Sequence, residues 1–336
     1  MMGTVIITGA SGSLAIATVE KLLSKYPSLT VLGTVRDVTK LPKTPSLLRL
    51  EEIASRYPPG RFITRNLDLG SLSEVQSFAE EVSKQVESGE LPSICAIVCN
   101  AFTWSLDGQR FTQDHYESTF QVNHLAHFVL VLRLLRSMNR ENGRIVMLSS
   151  EVHDPQNQNP LSALGAELPV NDRLEELIKP HADDPGKEHD MGWRRYANSK
   201  LANVMFMKSL NKRLQKNLEL KQITVTAMDP GGIVDSRAHV AQRMSVRFLF
   251  RVLAFLLPIL RLFTSQVRSS TDSARDLVAL VADPAFHSAR GHFNGSKPQP
   301  PATVAKNEQQ CEAIWAACWE WGNIIESDTC VVKQLV

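Results

Sequence analysis

This chain lacks a charge excess of either sign, a disulfide-type cysteine pattern and any long unbroken apolar run. Its 336 residues carry 37 Lys and Arg against 35 Asp and Glu, a formal net charge of +2. No basic block and no groove of interleaved aromatic and basic residues stands out, which argues against nucleic acid as a partner. The five cysteines, Cys95, Cys99, Cys311, Cys318 and Cys330, give neither an even disulfide framework nor paired metal-ligand spacings, so a reducing, cytoplasmic setting is expected. Strand-forming residues begin almost at once, leaving no room for a signal peptide. The stretch Val246 to Phe263 comes nearest to a membrane span, but Arg247, Arg251, Pro258 and Arg261 interrupt it, short of the about 20 apolar residues a span needs. His124 and His127 share a helix face, yet no metal site is expected. The cluster His181, Asp183, Asp184, Glu188, His189 and Asp190 reads as a solvated loop.

What is present is a series of apolar runs that each stop at a polar residue. A hydrophobic content of 43% suffices for one α/β domain spanning 1–336. Thr4-Val5-Ile6-Ile7 leads into Thr8-Gly9-Ala10-Ser11-Gly12-Ser13-Leu14-Ala15 and then a helical pattern. Such a turn brings backbone N–H groups and the positive end of a helix toward a dinucleotide pyrophosphate, although the same glycines also suit a plain strand-to-helix turn. Thr30 to Val35 forms a second strand ending at Arg36-Asp37. Arginine at that point favours a ribose 2′-phosphate, hence NADP(H) over NAD, with Asp37 pulling the other way.

Phe62-Ile63-Thr64 runs to Asn66-Leu67-Asp68-Leu69, Ile94 to Cys99 runs to Asn100-Ala101, and Gly143 to Leu148 runs to Ser149-Ser150. These read as buried parallel strands whose carboxyl ends carry function, with a serine hydroxyl available to hold a carbonyl oxygen. Farther on, Tyr196 and Lys200 stand four residues apart on one helix face, the spacing at which an ammonium can draw the pKa of a phenol down.

In this order the motifs resemble the short-chain dehydrogenase/reductase family over residues 4 to about 296, in particular its retinol-dehydrogenase-like and protochlorophyllide-reductase-like branch. The Val122-Asn123-His124-Leu125-Ala126-His127-Phe128 helix and the run Tyr196 to Asn203 carry the likeness to that branch. The resemblance implies a doubly wound Rossmann-type parallel sheet of about seven strands with helices on both faces. It implies Asn123, Ser150, Tyr196 and Lys200 as the catalytic residues, with Ser149 as the fallback hydroxyl. Thr8, Gly9, Ser11, Gly12, Ser13, Leu14, Arg36, Asp68, Leu69, Asn100, Ala101, Tyr196, Lys200, Pro230, Gly231 and Ile233 would bind the cofactor. It also implies a homo-oligomer formed through the helices carrying Asn123 and Tyr196.

Ser13 and Ala15 stand where the family turn has glycine, and Phe102 follows Asn100-Ala101 where glycine is usual. Residues 151–195 read as an insertion, 237–270 as a substrate lid and 297–336 as a C-terminal extension with core-facing aromatics. For the apolar stretch near 250, lid, lipid-facing helix and core helix all stay open. The expected chemistry is hydride exchange between NADPH and a ketone or aldehyde of a bulky hydrophobic molecule, akin to fungal tailoring ketoreductases. Tyr196 would be the acid, Ser150 the carbonyl holder, Lys200 the charge beside them, and Asn123 the holder of a water linking Lys200 to solvent. A membrane-associated retinol- or steroid-type dehydrogenase and a non-catalytic NADP-binding scaffold are the alternatives.

Overall fold

The computed structural model describes residues 2–39, 42–156, 165–237, 248, 252–257 and 267–335. Most of the expected lid, and most of the apolar stretch near 250, therefore lies outside the described residues. The strands are β1 (Gly3–Ile7), β2 (Leu29–Val35), β3 (Phe62–Asn66), β4 (Ile94–Cys99), β5 (Arg144–Leu148), β6 (Thr224–Asp229), β7 (Gly232–Ile233), β8 (Val267–Arg268), β9 (Gly291–Asn294) and β10 (Lys297–Pro298). An 8-stranded sheet has the order β10-β9-β6-β5-β4-β1-β2-β3, and β7 pairs with β8 apart from it. All its strands run parallel except β10, an antiparallel edge that turns back from β9 and carries the sheet beyond the parallel strands expected from the sequence.

The strands β1, β4, β5 and β6 are buried along their whole length, which explains their Val- and Ile-rich, non-alternating sequences. The helices are α1 (Ser13–Lys25), α2 (Pro45–Ala54), α3 (Leu72–Glu87), α4 (Ser118–Phe120), α5 (Ala126–Leu134), α6 (Glu188–Lys216), α7 (Ser270–Ala282) and α8 (Glu308–Trp321). Two apolar clusters sandwich the sheet. One joins α3, α5, α6 and α8, and the other joins α1, α2 and α7. Ala15 has no exposure and packs in the second cluster, so its methyl is absorbed where α1 lies on the sheet.

The tail docks through its aromatics, as its spacing suggests. Trp315 and Trp319 are buried, Trp315 stacks on Phe206 at 5.7 Å, and the Arg213 guanidinium lies 3.9 Å from the Trp315 ring centroid. The insertion departs from expectation at one point. Asp183 is not a solvated loop charge, because its carboxylate takes two bonds from Arg195 at 2.5 and 3.0 Å with both side chains largely out of water. Arg195 also stands 3.6 Å from the fully buried Glu117, so one guanidinium ties the insertion to the start of α4. Among the described residues no helix is long and apolar enough to cross a membrane.

Candidate active site

A cleft of about 540 Å³ opens along the carboxyl ends of the central strands. Its floor begins at the turn after β1. Gly9 has φ +63, and a Cβ there would lie 2.9 Å from the Ala101 side chain, so both backbone conformation and space demand glycine. Gly12 is the N-cap of α1, offers no side-chain cap, and no acidic residue stands in the first turn. The helix therefore presents its positive end to the cleft without an internal anion. Asn100 braces the turn by donating from Nδ2 to the carbonyls of Thr8 at 2.8 Å and Gly9 at 3.3 Å.

Every expected cofactor residue except Thr8 lines this cleft, and so do Ser150, Tyr196 and Lys200. Thr8 and Asn123 stand behind its wall and act through neighbours. Arg36 sits at the end of β2, largely exposed and 3.9 Å from Asp68. Asp37 is folded onto Thr39, accepting from its backbone N–H at 2.8 Å and its hydroxyl at 2.7 Å.

The two serines after β5 separate in role by direction. Ser149 donates to the backbone carbonyl of Lys200 at 3.4 Å and is buried, whereas Ser150 is partly exposed on the cleft that Tyr196 lines. Lys200 Nζ donates to the Leu148 carbonyl at 3.0 Å and lies 5.4 Å from the Tyr196 ring centroid. Burial pushes the Tyr196 phenol far above its ordinary range, the Asp229 carboxylate adds to this, and the Ser150 hydroxyl opposes it. Burial also lowers Lys200 to about 8, against the Asp229 charge that holds its proton on. The expected pull of Lys200 on the phenol is thus outweighed here, because its ammonium is turned to a backbone carbonyl and both groups are out of water.

Asn123 lies in a π-helical turn, Gln121–Leu125, between α4 and α5. Its side chain accepts from the Thr103 N–H at 2.7 Å and donates to the Thr103 carbonyl at 2.9 Å and to Ser199 Oγ at 3.0 Å. Its backbone carbonyl faces His127 Nδ1 at 3.1 Å and Asn203 Nδ2 at 3.2 Å. The Asn123 carbonyl can only accept, so Nδ1 carries the proton; Thr8 Oγ1, which accepts the N–H groups of Asn100 at 2.9 Å and Ala101 at 3.0 Å, then donates to His127 Nε2 at 2.8 Å in preference to the Val98 carbonyl at 3.4 Å. Both lone pairs of the Asn123 carbonyl thus carry protein donors, and the water-holding role expected of Asn123 finds its carbonyl occupied. His124 likewise bonds Asn203 Oδ1 at 2.9 Å, and burial lowers it to about 4.

Among the cleft residues that escaped the sequence reading as site residues are Trp104, Trp193, Asp229 and Arg237. Trp104 packs 5.2 Å from both Trp193 and Tyr196, and 5.8 Å from Phe102. Gly192 permits this wall, since a Cβ there would fall 2.2 Å from the Ser105 carbonyl. One signal was available, Trp193 standing one helical turn before Tyr196. Arg237 donates its backbone N–H to Ser13 Oγ at 3.2 Å and its guanidinium to the Ser11 carbonyl, closing over the phosphate turn.

A glycine turn at an uncapped helix start, beside a Ser-Tyr-Lys set on the same cleft, defines a Rossmann-type oxidoreductase. Residues 3–161 match the family model described as short chain dehydrogenase, and residues 236–331 match one described as AcuH dehydrogenase domain. The chain is 31% identical over 365 residues to short-chain dehydrogenase iccH of Talaromyces variabilis, covering 97% of each. It is 27% identical to retinol dehydrogenase 14 of Homo sapiens, over 93% of this chain and 84% of that one. Among solved structures, angucycline C-6 ketoreductase LanV with bound NADP superposes with a TM-score of 0.55 at 19% identity, over 88% of this chain and 94% of that one. The chain belongs to the short-chain dehydrogenase/reductase family, oxidoreductases that use nicotinamide cofactors and act on CH–OH and C=O groups.

Proposed function

We propose that the protein reduces a ketone or aldehyde of a bulky hydrophobic small molecule with NADPH, and catalyses the reverse alcohol oxidation when the ratio of cofactor forms demands it. The observation that carries this reading is the wall of Phe102, Trp104 and Trp193 set against Tyr196 in the cleft that also holds the phosphate turn. Aromatic faces beside the acid suit a large apolar substrate of polyketide, terpenoid or sterol type. LanV, by its name, is a ketoreductase of angucyclines, which gives one such precedent on this fold.

NADPH supplies the hydride when bound; the residues of this chain supply proton, orientation and charge. The Ser150 hydroxyl, which lines the same cleft as the Tyr196 phenol, holds the carbonyl oxygen, and Tyr196 delivers its proton to the alkoxide that develops. Lys200 holds positive charge beside the phenol. The open start of α1, with Arg237 closing over it, fits a pyrophosphate, and Arg36 at the end of β2 fits a 2′-phosphate.

The test is loss of NADPH absorbance on incubation with a panel of hydrophobic ketones. Turnover that vanishes in Tyr196→Phe, while NADPH binding by fluorescence titration persists, supports the assignment. Undiminished turnover in that variant, or no oxidation of NADPH with any ketone, removes it. A second reading is favoured by Phe248, Val252 and Phe255, which are 68%, 36% and 84% exposed at steps of four and three residues. That apolar spacing suits lipid contact by a membrane-associated retinol- or steroid-type enzyme, and co-sedimentation with lipid vesicles reads it out.

A further inference from the structure

Asp229 is a buried acid with no part in the scheme above. It ends β6, is 4% exposed, and lines the cleft together with Tyr196 and Lys200. The sheet register fixes where it stands. Leu148 pairs with Met228 across β5 and β6, the Ser149 N–H donates to the Met228 carbonyl at 2.7 Å, and Lys200 Nζ donates to the Leu148 carbonyl at 3.0 Å. Asp229 is the next residue along β6, at the level of the serines. Burial raises the Asp229 pKa, and three influences oppose this by favouring the carboxylate: the Gly231 N–H, which donates to Oδ1 at 2.8 Å, the Arg268 charge and the Lys200 charge.

The Lys200 ammonium, 3% exposed, needs an opposite charge as well as the Leu148 carbonyl to remain charged out of water. Four neighbouring titratable groups do not supply it. The Cys99 thiol of β4 is pushed by burial toward its neutral form, and the His127 ring of α5 is held neutral at about 3. His153 and His292, whose rings lie 4.6 Å apart, are also driven to the neutral form by burial. Arg268 acts on Asp229 from β8 and favours its ionised form, but its guanidinium is paired with Asp276 at 2.7 Å.

We propose that the Asp229 carboxylate is the counter-charge of the catalytic pair and acts as a positioning residue that keeps Tyr196 and Lys200 both protonated, the state carbonyl reduction requires. This rests on the reductase reading and adds a bias to it. A negative charge beside the phenol opposes phenolate formation, which favours reduction over alcohol oxidation near neutral pH. Removing that charge lets either proton leave at lower pH, so the alkaline limb of reduction moves the same way whichever group sets it.

The test compares pH profiles of kcat for ketone reduction by wild type, Asp229→Asn and Asp229→Glu at saturating NADPH, with Tm measured alongside. Asp229→Asn keeps an acceptor for the Gly231 N–H and removes only the charge. Its alkaline limb is expected to fall by about one pH unit or more, the scale of a single nearby charge, while Asp229→Glu keeps a limb near that of wild type. An Asn limb that coincides with wild type overturns the proposal. So does a shift that Asp229→Glu shares in full, because a purely structural role predicts that result. If Asp229→Asn does not fold, the Glu variant and Asp229→Ser carry the comparison. A wild type that reduces no ketone would instead remove the reductase reading, so the two failures are told apart.

Discussion

Asn123 and Thr103 exchange two hydrogen bonds, the Thr103 N–H to Oδ1 at 2.7 Å and Nδ2 to the Thr103 carbonyl at 2.9 Å. One side chain therefore satisfies both backbone groups of the residue between Phe102 and Trp104, and fixes the aromatic wall that faces Tyr196. Asn123→Ala leaves a buried donor and acceptor unpaired and is expected to cost about 1–3 kcal/mol of stability. Asn123→Asp keeps the acceptor and loses the donor. Both variants are expected to raise KM for a bulky ketone more than they lower NADPH affinity, because Asn123 stands behind the substrate wall and not in the phosphate turn. Steady-state kinetics with a fluorescence titration of NADPH checks this; equal losses in the two would count against it.

The parts of this architecture legible in the sequence are those set by backbone geometry. Parallel strands buried on both faces must be apolar throughout and must stop at polar residues, so Asn100 and Ser149 announce the strand ends where the cleft lies, whereas β3, expected to be buried as well, is a half-buried edge that admits Thr64, Arg65 and Asn66. The order of Gly9, Ser150, Tyr196 and Lys200 likewise carries the site. What the sequence hid depends on elements that meet only in space. Nothing local ties Asp183 to Arg195 and Glu117, and a run of acids near two histidines has the composition of a loop. Nor does the sequence show that the Asn123 carbonyl is filled, since His127 reaches it in a tautomer that Thr8, distant in the chain, completes from the other ring nitrogen.

Three of the four buried histidines set an acid sensitivity whose sign is fixed, and His153, also lowered by burial, adds to it. Burial lowers His124 to about 4, His127 to about 3 and His292 to about 4. The native state therefore binds fewer protons than the unfolded chain between these values and about 6.5, and stability present above pH 6.5 is lost as pH falls. Each histidine contributes a loss of about 2 kcal/mol between pH 6.5 and 5. Glu117 and Asp229, raised by burial, act with the opposite sign, so the informative quantity is a difference between proteins. In urea unfolding, His127→Gln is expected to be less stable than wild type at pH 7 and to close that gap toward pH 5. A constant gap would show that His127 takes up its proton as readily in the fold as in the unfolded chain.

The Arg195 to Asp183 pair predicts how the insertion is held. Both side chains are almost fully buried, and Arg195 is the guanidinium that meets both Asp183 and Glu117. Removing one partner of such a pair strands the other charge out of water, so Asp183→Ala is expected to cost about 3–5 kcal/mol. Loosening should concentrate in residues 165–187, where limited proteolysis would cut earlier than in wild type. The triple variant Asp183→Leu, Arg195→Met and Glu117→Gln should recover much of the lost stability, because it strands no charge on Asp183, Arg195 or Glu117. A triple variant no better than the single one would mean that Asp183 holds the insertion by its shape and not by its charge.

Cofactor choice turns on the end of β2. Arg36 projects there beside Asp68 at 3.9 Å, while the Asp37 carboxylate is drawn down onto Thr39. A guanidinium can make two charge-assisted bonds to a 2′-phosphate, and a carboxylate in its place would repel that group and accept from the ribose hydroxyls instead. Arg36→Glu is therefore expected to lower kcat/KM for NADPH by about 100-fold, a loss of about 2.8 kcal/mol at the conversion of about 1.4 kcal/mol per tenfold. The value for NADH should hold or rise. Arg36→Ala should fall between them, since it removes the attraction without adding repulsion. The ratio of kcat/KM for the two cofactors across the three proteins decides the matter, and a ratio unchanged by Arg36→Glu would place the selecting residue elsewhere on the cleft wall.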